Sequence, residues 1–174
     1  MLIAKRKLSV VAAVIACLAI VATATATVIG WHGLSQSQRN SRIINRAMGD
    51  LGDDMNMQCK EWVRLVVREA SDGEVVIPST RSNNYQWYSH PYVQAMLMPY
   101  PINAVQPGQI IQMRWTNNGN TVPHTAIVLS RTSSGMTWID CNWLNNDETV
   151  RTHYMTYNYF NTHVGYNYTV YEIR

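Results

Sequence analysis

The chain has 174 residues, of which 47% are hydrophobic and only 14% charged, a balance that excludes a disordered chain. Its net charge is +3, from 14 Lys and Arg against 11 Asp and Glu, and Lys5, Arg6 and Lys7 supply three of the basic groups. Without the first 26 residues the balance is 11 against 11 (14 less 3), which excludes the basic footprint of a nucleic-acid binder.

In chain order, Lys5-Arg6-Lys7 precedes an apolar run from Leu8 to about Val21 and then the small residues Ala22-Thr23-Ala24 and Ala24-Thr25-Ala26. Basic, apolar and small-x-small is the order of a secretory signal peptide, so residues 1–26 are expected to direct export. The alternative is an uncleaved membrane anchor reaching to about Ile29, which is long enough to span a bilayer. The basic residues hold the start of the chain in the cytoplasm either way. Lipidation at Cys17 is a minor option, because Leu18, Ala19 and Ile20 continue the apolar run. Residues 27–40, with Gly30, Gly33 and several Ser and Gln, are expected to be a flexible lead-in to one domain over 41–174.

Ser41 is placed to cap a helix whose inner face is Ile43, Ile44, Ala47, Met48 and Leu51, with Gly52 as its stop. A second helix starts near Met55 to Gln58. Cys59, Trp62, Val63, Val66, Val67 and Ala70 form its apolar stripe. Residues 78–108 are rich in Pro, Asn, Ser, Tyr and Trp and predict a loop with one short helix around Tyr92 to Met98. Beyond Pro107-Gly108 the pattern becomes extended. Strands are expected over Ile110–Trp115, Thr125–Ser130, Met136–Trp143, Val150–Tyr157 and Tyr166–Ile173, with a turn at Arg131–Gly135. Helices followed by an antiparallel sheet define an α+β domain.

Four residues stand out chemically. Cys59 opens a helix, where free amides and the dipole favour a thiolate. His124 follows Pro123 at the start of the second strand, and Asp140 and Asn142 lie on the third. If the turn between those strands is centred near Ser133, Ser130 faces Met136, Ala126 faces Asp140 and His124 faces Asn142. His124 then has Asn142 beside it and Asp140 on the diagonal, on one side of the sheet. Cys141 points to the other side, which argues against a Cys59–Cys141 disulfide because Cys59 must meet His124. A one-residue slip in register reverses this. Such a disulfide remains the default for two cysteines in an oxidising compartment. An activated thiol needs a base, and the base needs an orienting group; Cys59, His124 and Asp140 or Asn142 fit those roles. His32, His90, His153 and His163 fit less well, and none of the His and Cys pairs has tight zinc-ligand spacing, so no metal or cofactor is expected.

Gln58-Cys59 with Trp62-Val63 resembles the nucleophile segment of the CHAP domains (cysteine, histidine-dependent amidohydrolase/peptidase). Pro107-Gly108-Gln109-Ile110-Ile111 is similar to that family's Pro-Gly-Asp-Ile segment, with Gln109 in place of Asp. His124-Thr125-Ala126-Ile127-Val128 resembles its His-Val-Ala-Ile-Val strand. Asp140-Cys141-Asn142-Trp143 resembles its Glu-x-Asn-Trp segment, with Asp140 in place of Glu. The related NlpC-type peptidases share the arrangement. The resemblance implies a papain-like fold, with helices carrying the Cys packed on an antiparallel sheet carrying the His and the Asp or Asn. It implies an exported peptidoglycan hydrolase, either an N-acetylmuramoyl-L-alanine amidase or a peptide endopeptidase. Cys59 is then the nucleophile, His124 the base, and Asp140 or Asn142 the orienting group. The Cys59 backbone N–H and the Gln58 side chain form the oxyanion site. Tyr85, Trp87, Tyr88 and Tyr100 are candidates to line a substrate groove or to cover the sheet edge. The expected partner is peptidoglycan or a peptide, with no nucleic acid, a membrane only if residues 1–26 stay uncleaved, and action as a monomer. The expected location is secreted, periplasmic or at the cell envelope. Two other readings stand beside it: a non-catalytic envelope-binding module, and an exported cysteine protease acting on proteins.

Overall fold

Runs of apolar residues in the central strands set the architecture. The computed structural model describes residues 29–78, 91–96, 100–143 and 147–174. Six strands form one antiparallel sheet in the order β1-β6-β2-β3-β4-β5. They are β1 (Val93–Ala95), β2 (Ile110–Asn117), β3 (Asn120–Arg131), β4 (Gly135–Cys141), β5 (Val150–Thr156) and β6 (Tyr168–Ile173). Adjacent residues such as Ile110 and Ile111, Ile127 and Val128, or Trp138 and Ile139 are all buried. Successive side chains point to opposite faces, so both faces must be covered. Helices α1 (Gln36–Gly49) and α2 (Cys59–Ala70) cover the face of Ile110, Ile127, Ile139 and Cys141. Helix α3 (Tyr157–Val164) covers the face of Ile111, Val128 and Trp138 through Phe160 and Val164. Helices packed on an antiparallel sheet make this an α+β fold.

The apolar stripe of α2 is as its spacing predicts: Trp62, Val63, Val66, Val67 and Ala70 are buried. Trp62 Nε1 donates to Asp50 Oδ2 at 2.9 Å, which ties α2 to the end of α1. Gly108 has φ +85, and a Cβ there would collide with Asn40 of α1. Asn40 Nδ2 donates to the Pro107 carbonyl at 2.8 Å. The Pro-Gly pair thus starts β2 and lets α1 approach its backbone closely.

Four local expectations differ from the structure. Helix α1 starts at Gln36, five residues before Ser41, because Ser35 and Gln38 form a reciprocal capping box. The lead-in is not flexible over its described part: Trp31 is fully buried, with Nε1 donating to the Arg174 carbonyl at 2.9 Å. Val93–Ala95 is a strand and not the start of a helix, since it pairs with β6. The extended run after Val150 stops at Thr156, whose side chain accepts from the Tyr159 N–H at 3.1 Å and caps α3. Among the described residues no helix is long and apolar enough to cross a membrane. The expectations for residues 1–26 and for Tyr85, Trp87 and Tyr88 lie outside the described residues.

Candidate active site

The site forms where β4 ends and α2 begins. β4 stops at Cys141, and Asn142 adopts a left-handed conformation, φ 63, that turns the chain away. β3 continues beyond this point, paired only with β2, and carries Pro123 and His124. The first turn of α2 fills the gap beside it. The Thr125 backbone N–H, together with that of Lys60, donates to the sulfur of Cys59. A thiol bonded to a strand amide lies at the level of the sheet. Cys59 therefore meets His124 although α2 packs on the face of Cys141 and His124 belongs to the opposite one. This corrects the expectation that the two residues share a face.

The β3–β4 register explains His124 and Asp140. Arg131 pairs with Met136 and Ser130 with Thr137, one residue out of the expected alignment. A bulge between Val128 and Ser130 absorbs the difference, so Val128 pairs with Trp138 and Ile127 with Ile139. Extending that alignment sets Ala126 across from Asp140 and His124 across from Asn142. His124 Nε2 lies 3.3 Å from Asp140 Oδ2, and Asp140 is fully buried. With Nε2 turned to the carboxylate, Nδ1 is the nitrogen left for the Cys59 thiol, to which the ring is hydrogen-bonded. The Trp143 ring stands edge-on against the imidazole, centroids 4.6 Å apart.

Burial is the largest influence on each charge in this group and opposes all of them, but specific partners outweigh it. For His124, burial lowers the pKa while the Asp140 carboxylate and the Cys59 sulfur raise it, to about 9 overall. For Cys59, burial raises the pKa, and the hydrogen bond and charge of His124 bring it below the ordinary thiol value. Asp140 is likewise held below the usual carboxylate range by His124 and His153 against the effect of burial. The arrangement favours a thiolate–imidazolium pair. Cys141 is the opposite case: burial pushes its thiol up to about 12. Cys59 and Cys141 are both free. Cys141 Sγ donates to the carbonyls of Glu148 at 3.0 Å and Met57 at 3.3 Å, so the disulfide reading falls.

Asn142 and Gln58 form a second pair. Asn142 Nδ2 donates to Gln58 Oε1 at 3.0 Å, and Gln58 Nε2 donates to Glu148 Oε1 at 3.1 Å. The structure thus puts Asp140 at the imidazole and Asn142 at the Gln58 carboxamide. Gln58 also precedes the helix as its N-cap, with no side-chain capping bond of its own. A cleft of about 350 Å³ opens onto these groups, lined by Gln58, Cys59, Val122, Pro123, His124, Asn142 and Trp143. Tyr100 does not line it. Its hydroxyl donates to the Ala104 carbonyl at 3.0 Å, and its ring packs on the α3 side of the sheet.

Sequence reasoning missed two members of the site. Glu148, which holds Gln58, sits at φ 53 just after residues 144–146 and has no motif to mark it. His153 lies 3.6 Å from Asp140 through Nε2. Its signal is the β4–β5 register, in which His153 faces Trp138 and so lies diagonal to Asp140.

No protein-family model matches the chain, and no curated protein matches it in sequence. Among solved structures it is similar to the crystal structure of Ly7917 and to that of Ly7917 with the hydrolyzing product of MDP. Both have a TM-score of 0.54 at 15% identity over 77% of this chain. The chain spans 62% and 63% of the length of those two structures, less than two thirds. At this identity the likeness is one of fold.

Proposed function

We propose that this protein is a cysteine hydrolase of the CHAP-like, papain-like type that cleaves an amide bond in peptidoglycan. The observation that carries the reading is the run of contacts from the half-buried Cys59 through His124 to the fully buried Asp140, with Cys59 and His124 lining an open cleft. Two things support the substrate class: the resemblance of the motifs around Cys59 and His124, and the fold shared with Ly7917, one of whose structures holds the hydrolyzing product of MDP, a peptidoglycan fragment.

In this reading the Cys59 thiolate attacks the carbonyl carbon of a cell-wall amide and forms a C–S bond. The carbonyl oxygen becomes an oxyanion, met by the Cys59 backbone N–H at the helix start and by the Gln58 carboxamide. The His124 imidazolium gives its proton to the departing amine as the C–N bond breaks. Water then loses a proton to His124, attacks the thioester and restores the thiolate. Asp140 keeps the imidazole ring aimed and stabilises its charge. Glu148 and Asn142 fix Gln58, so the donor is placed before the oxyanion forms. An N-terminal export segment would deliver the enzyme to the wall.

Incubation with purified peptidoglycan, with mass analysis of the soluble fragments, tests this directly. The wild-type protein is expected to release fragments, and their new termini identify the bond. The Cys59→Ala protein, folded by circular dichroism, is expected to release none. No release by the wild type, or equal release by the variant, sinks the proposal.

A further inference from the structure

Asp140 is a fully buried carboxylate with one imidazole at each oxygen. Oδ2 faces His124 Nε2 at 3.3 Å, and Oδ1 faces His153 Nε2 at 3.6 Å. Neither contact is an ideal in-line hydrogen bond, but each imidazole acts on Asp140 through both hydrogen bonding and charge. The thiolate and Asp140 bring two negative charges to this buried site, and the His124 imidazolium brings one positive. A remaining buried negative charge is costly without a further donor or cation.

The position best placed to supply one is Arg151, which pairs with Asp140 across the β4–β5 ladder. Its guanidinium is instead bound to Asp147 at 2.6 Å. That leaves the diagonal neighbour, His153. Other charged groups nearby are committed elsewhere: Glu148 holds Gln58, and His163 of α3 stacks on Trp115 with centroids 4.7 Å apart. Trp143 packs against both histidines, 4.6 Å from the His124 ring and 5.6 Å from the His153 ring. Asp140 is the charged group that both imidazoles face. His153 also reaches the surface: its side chain is 24% exposed and lines a second cleft of about 540 Å³ with Trp115, Trp143, Tyr154 and Tyr159.

We propose that His153 is a positioning residue for the site, its Nε2–H holding Asp140 Oδ1 so that Oδ2 stays aimed at His124. It touches neither the sulfur nor the amide and acts through Asp140 alone. The role also accounts for the short acid. An Asp on β4 reaches less far than a Glu, and a second imidazole on its other oxygen compensates by keeping it ionised and fixed. The inference rests on the proposed Cys59–His124 chemistry but not on any particular substrate.

The test is the pH dependence of Cys59 alkylation by iodoacetamide in the full chain, read by mass mapping of the Cys59 peptide so that other thiols do not count. Two variants are compared. His153→Phe fills the space without a donor, and His153→Gln places an amide N–H near the position of Nε2. In His153→Phe the alkylation midpoint is expected to move up by about one pH unit and the rate near neutrality to fall about tenfold, one unit of pKa being a factor of ten. His153→Gln is expected to track the wild type. If His153→Phe fails to fold by circular dichroism, His153→Asn takes its place, since its amide falls short of Oδ1. A displaced profile rescued by Gln supports the assignment. A Phe or Asn profile that superimposes on the wild type overturns it, as does a Gln profile displaced equally. Alkylation needs no peptidoglycan, so this result stands apart from the hydrolase assay.

Discussion

Two candidates for orienting His124 are separated by a single carboxamide. Asn142 donates to Gln58, whereas Asp140 stands 3.3 Å from the imidazole. Asp140→Asn keeps the size and removes the charge that raises His124, so amide hydrolysis is expected to fall about 100-fold to 10,000-fold. In the proposed mechanism His124 must be protonated to release the amine, so the alkaline limb of the rate profile, expected near pH 9 in the wild type, should move to lower pH in this variant. Asn142→Ala leaves the imidazole pair intact and loosens Gln58. A loss of about tenfold with an unmoved alkaline limb is expected, since one donor of an oxyanion site is misplaced rather than removed. Equal losses and equal limbs in the two variants would reject the division of labour. Cys59 and His124 were legible in the sequence because helix starts, strand alternation and acid–base chemistry each constrain them, whereas the choice between Asp140 and Asn142 was left open. Gln58 and Asn142 were only half legible, and Glu148 was not legible at all. The amide residues carry the family resemblance, but their mutual bond depends on Asn142 and Glu148 at positive φ, and no residue spacing encodes that.

At the level of elements, the site depends on the β3–β4 register, which a bulge in β3 accommodates. A hairpin centred on Ser133 predicts the pairing of Ala126 with Asp140, and the observed pairs Ile127–Ile139 and Val128–Trp138 agree with it. The turn itself is shifted, with Ser130 opposite Thr137, and the bulge at Leu129 restores the alignment before the site is reached. The expected register thus holds at the catalytic end for a reason the sequence does not display. The β2–β3 hairpin had a readable signal that was passed over: Asn118-Gly119, both at positive φ, form the two-residue turn between Asn117 and Asn120. That turn extends β3 by five residues before Thr125 and makes His124 an interior strand residue, 5% exposed. Deleting Leu129 would remove the bulge but keep Val128 opposite Trp138 and Ile127 opposite Ile139, so His124 keeps its face, whereas deleting Ile127 would send His124 and Ala126 to the face covered by α2 if the turn keeps its pairing. The Ile127 deletion is expected to abolish rapid Cys59 alkylation at neutral pH and to lower the midpoint of urea unfolding markedly, while the Leu129 deletion should keep rapid alkylation. A single Gly inserted among 132–134 lies in the exposed turn and should leave alkylation near wild type. An Ile127-deletion protein that alkylates at the wild-type rate would show that the β3–β4 register does not set the site.

For the whole molecule, the thiolate–imidazolium pair leaves a signature in stability against pH. His124 is raised in the folded state from 6.5 to about 9. The stability it contributes is therefore complete below pH 6.5 and is lost as pH rises toward 9. Cys59 is lowered from 9.0. Its contribution is lost as pH falls through the folded value and is complete above 9. Between pH 6.5 and 9 the two run in opposite directions. In the part of that window above the folded Cys59 value, the folded pair holds one proton, on His124, and the unfolded chain also holds one, on Cys59. With equal numbers of bound protons the pair adds no slope to the stability curve. Cys59→Ala breaks the cancellation. The folded variant keeps a proton on His124 through Asp140, while the unfolded variant has lost it. Its stability should decline through the window by up to about 1.4 kcal/mol per pH unit relative to the wild type. Urea unfolding of both proteins at pH 6, 7.5 and 9 measures the difference, and the other histidines cancel in the comparison. Parallel curves for wild type and variant would mean that Cys59 carries no thiolate in the folded protein, and the proposed nucleophile would lose its physical basis.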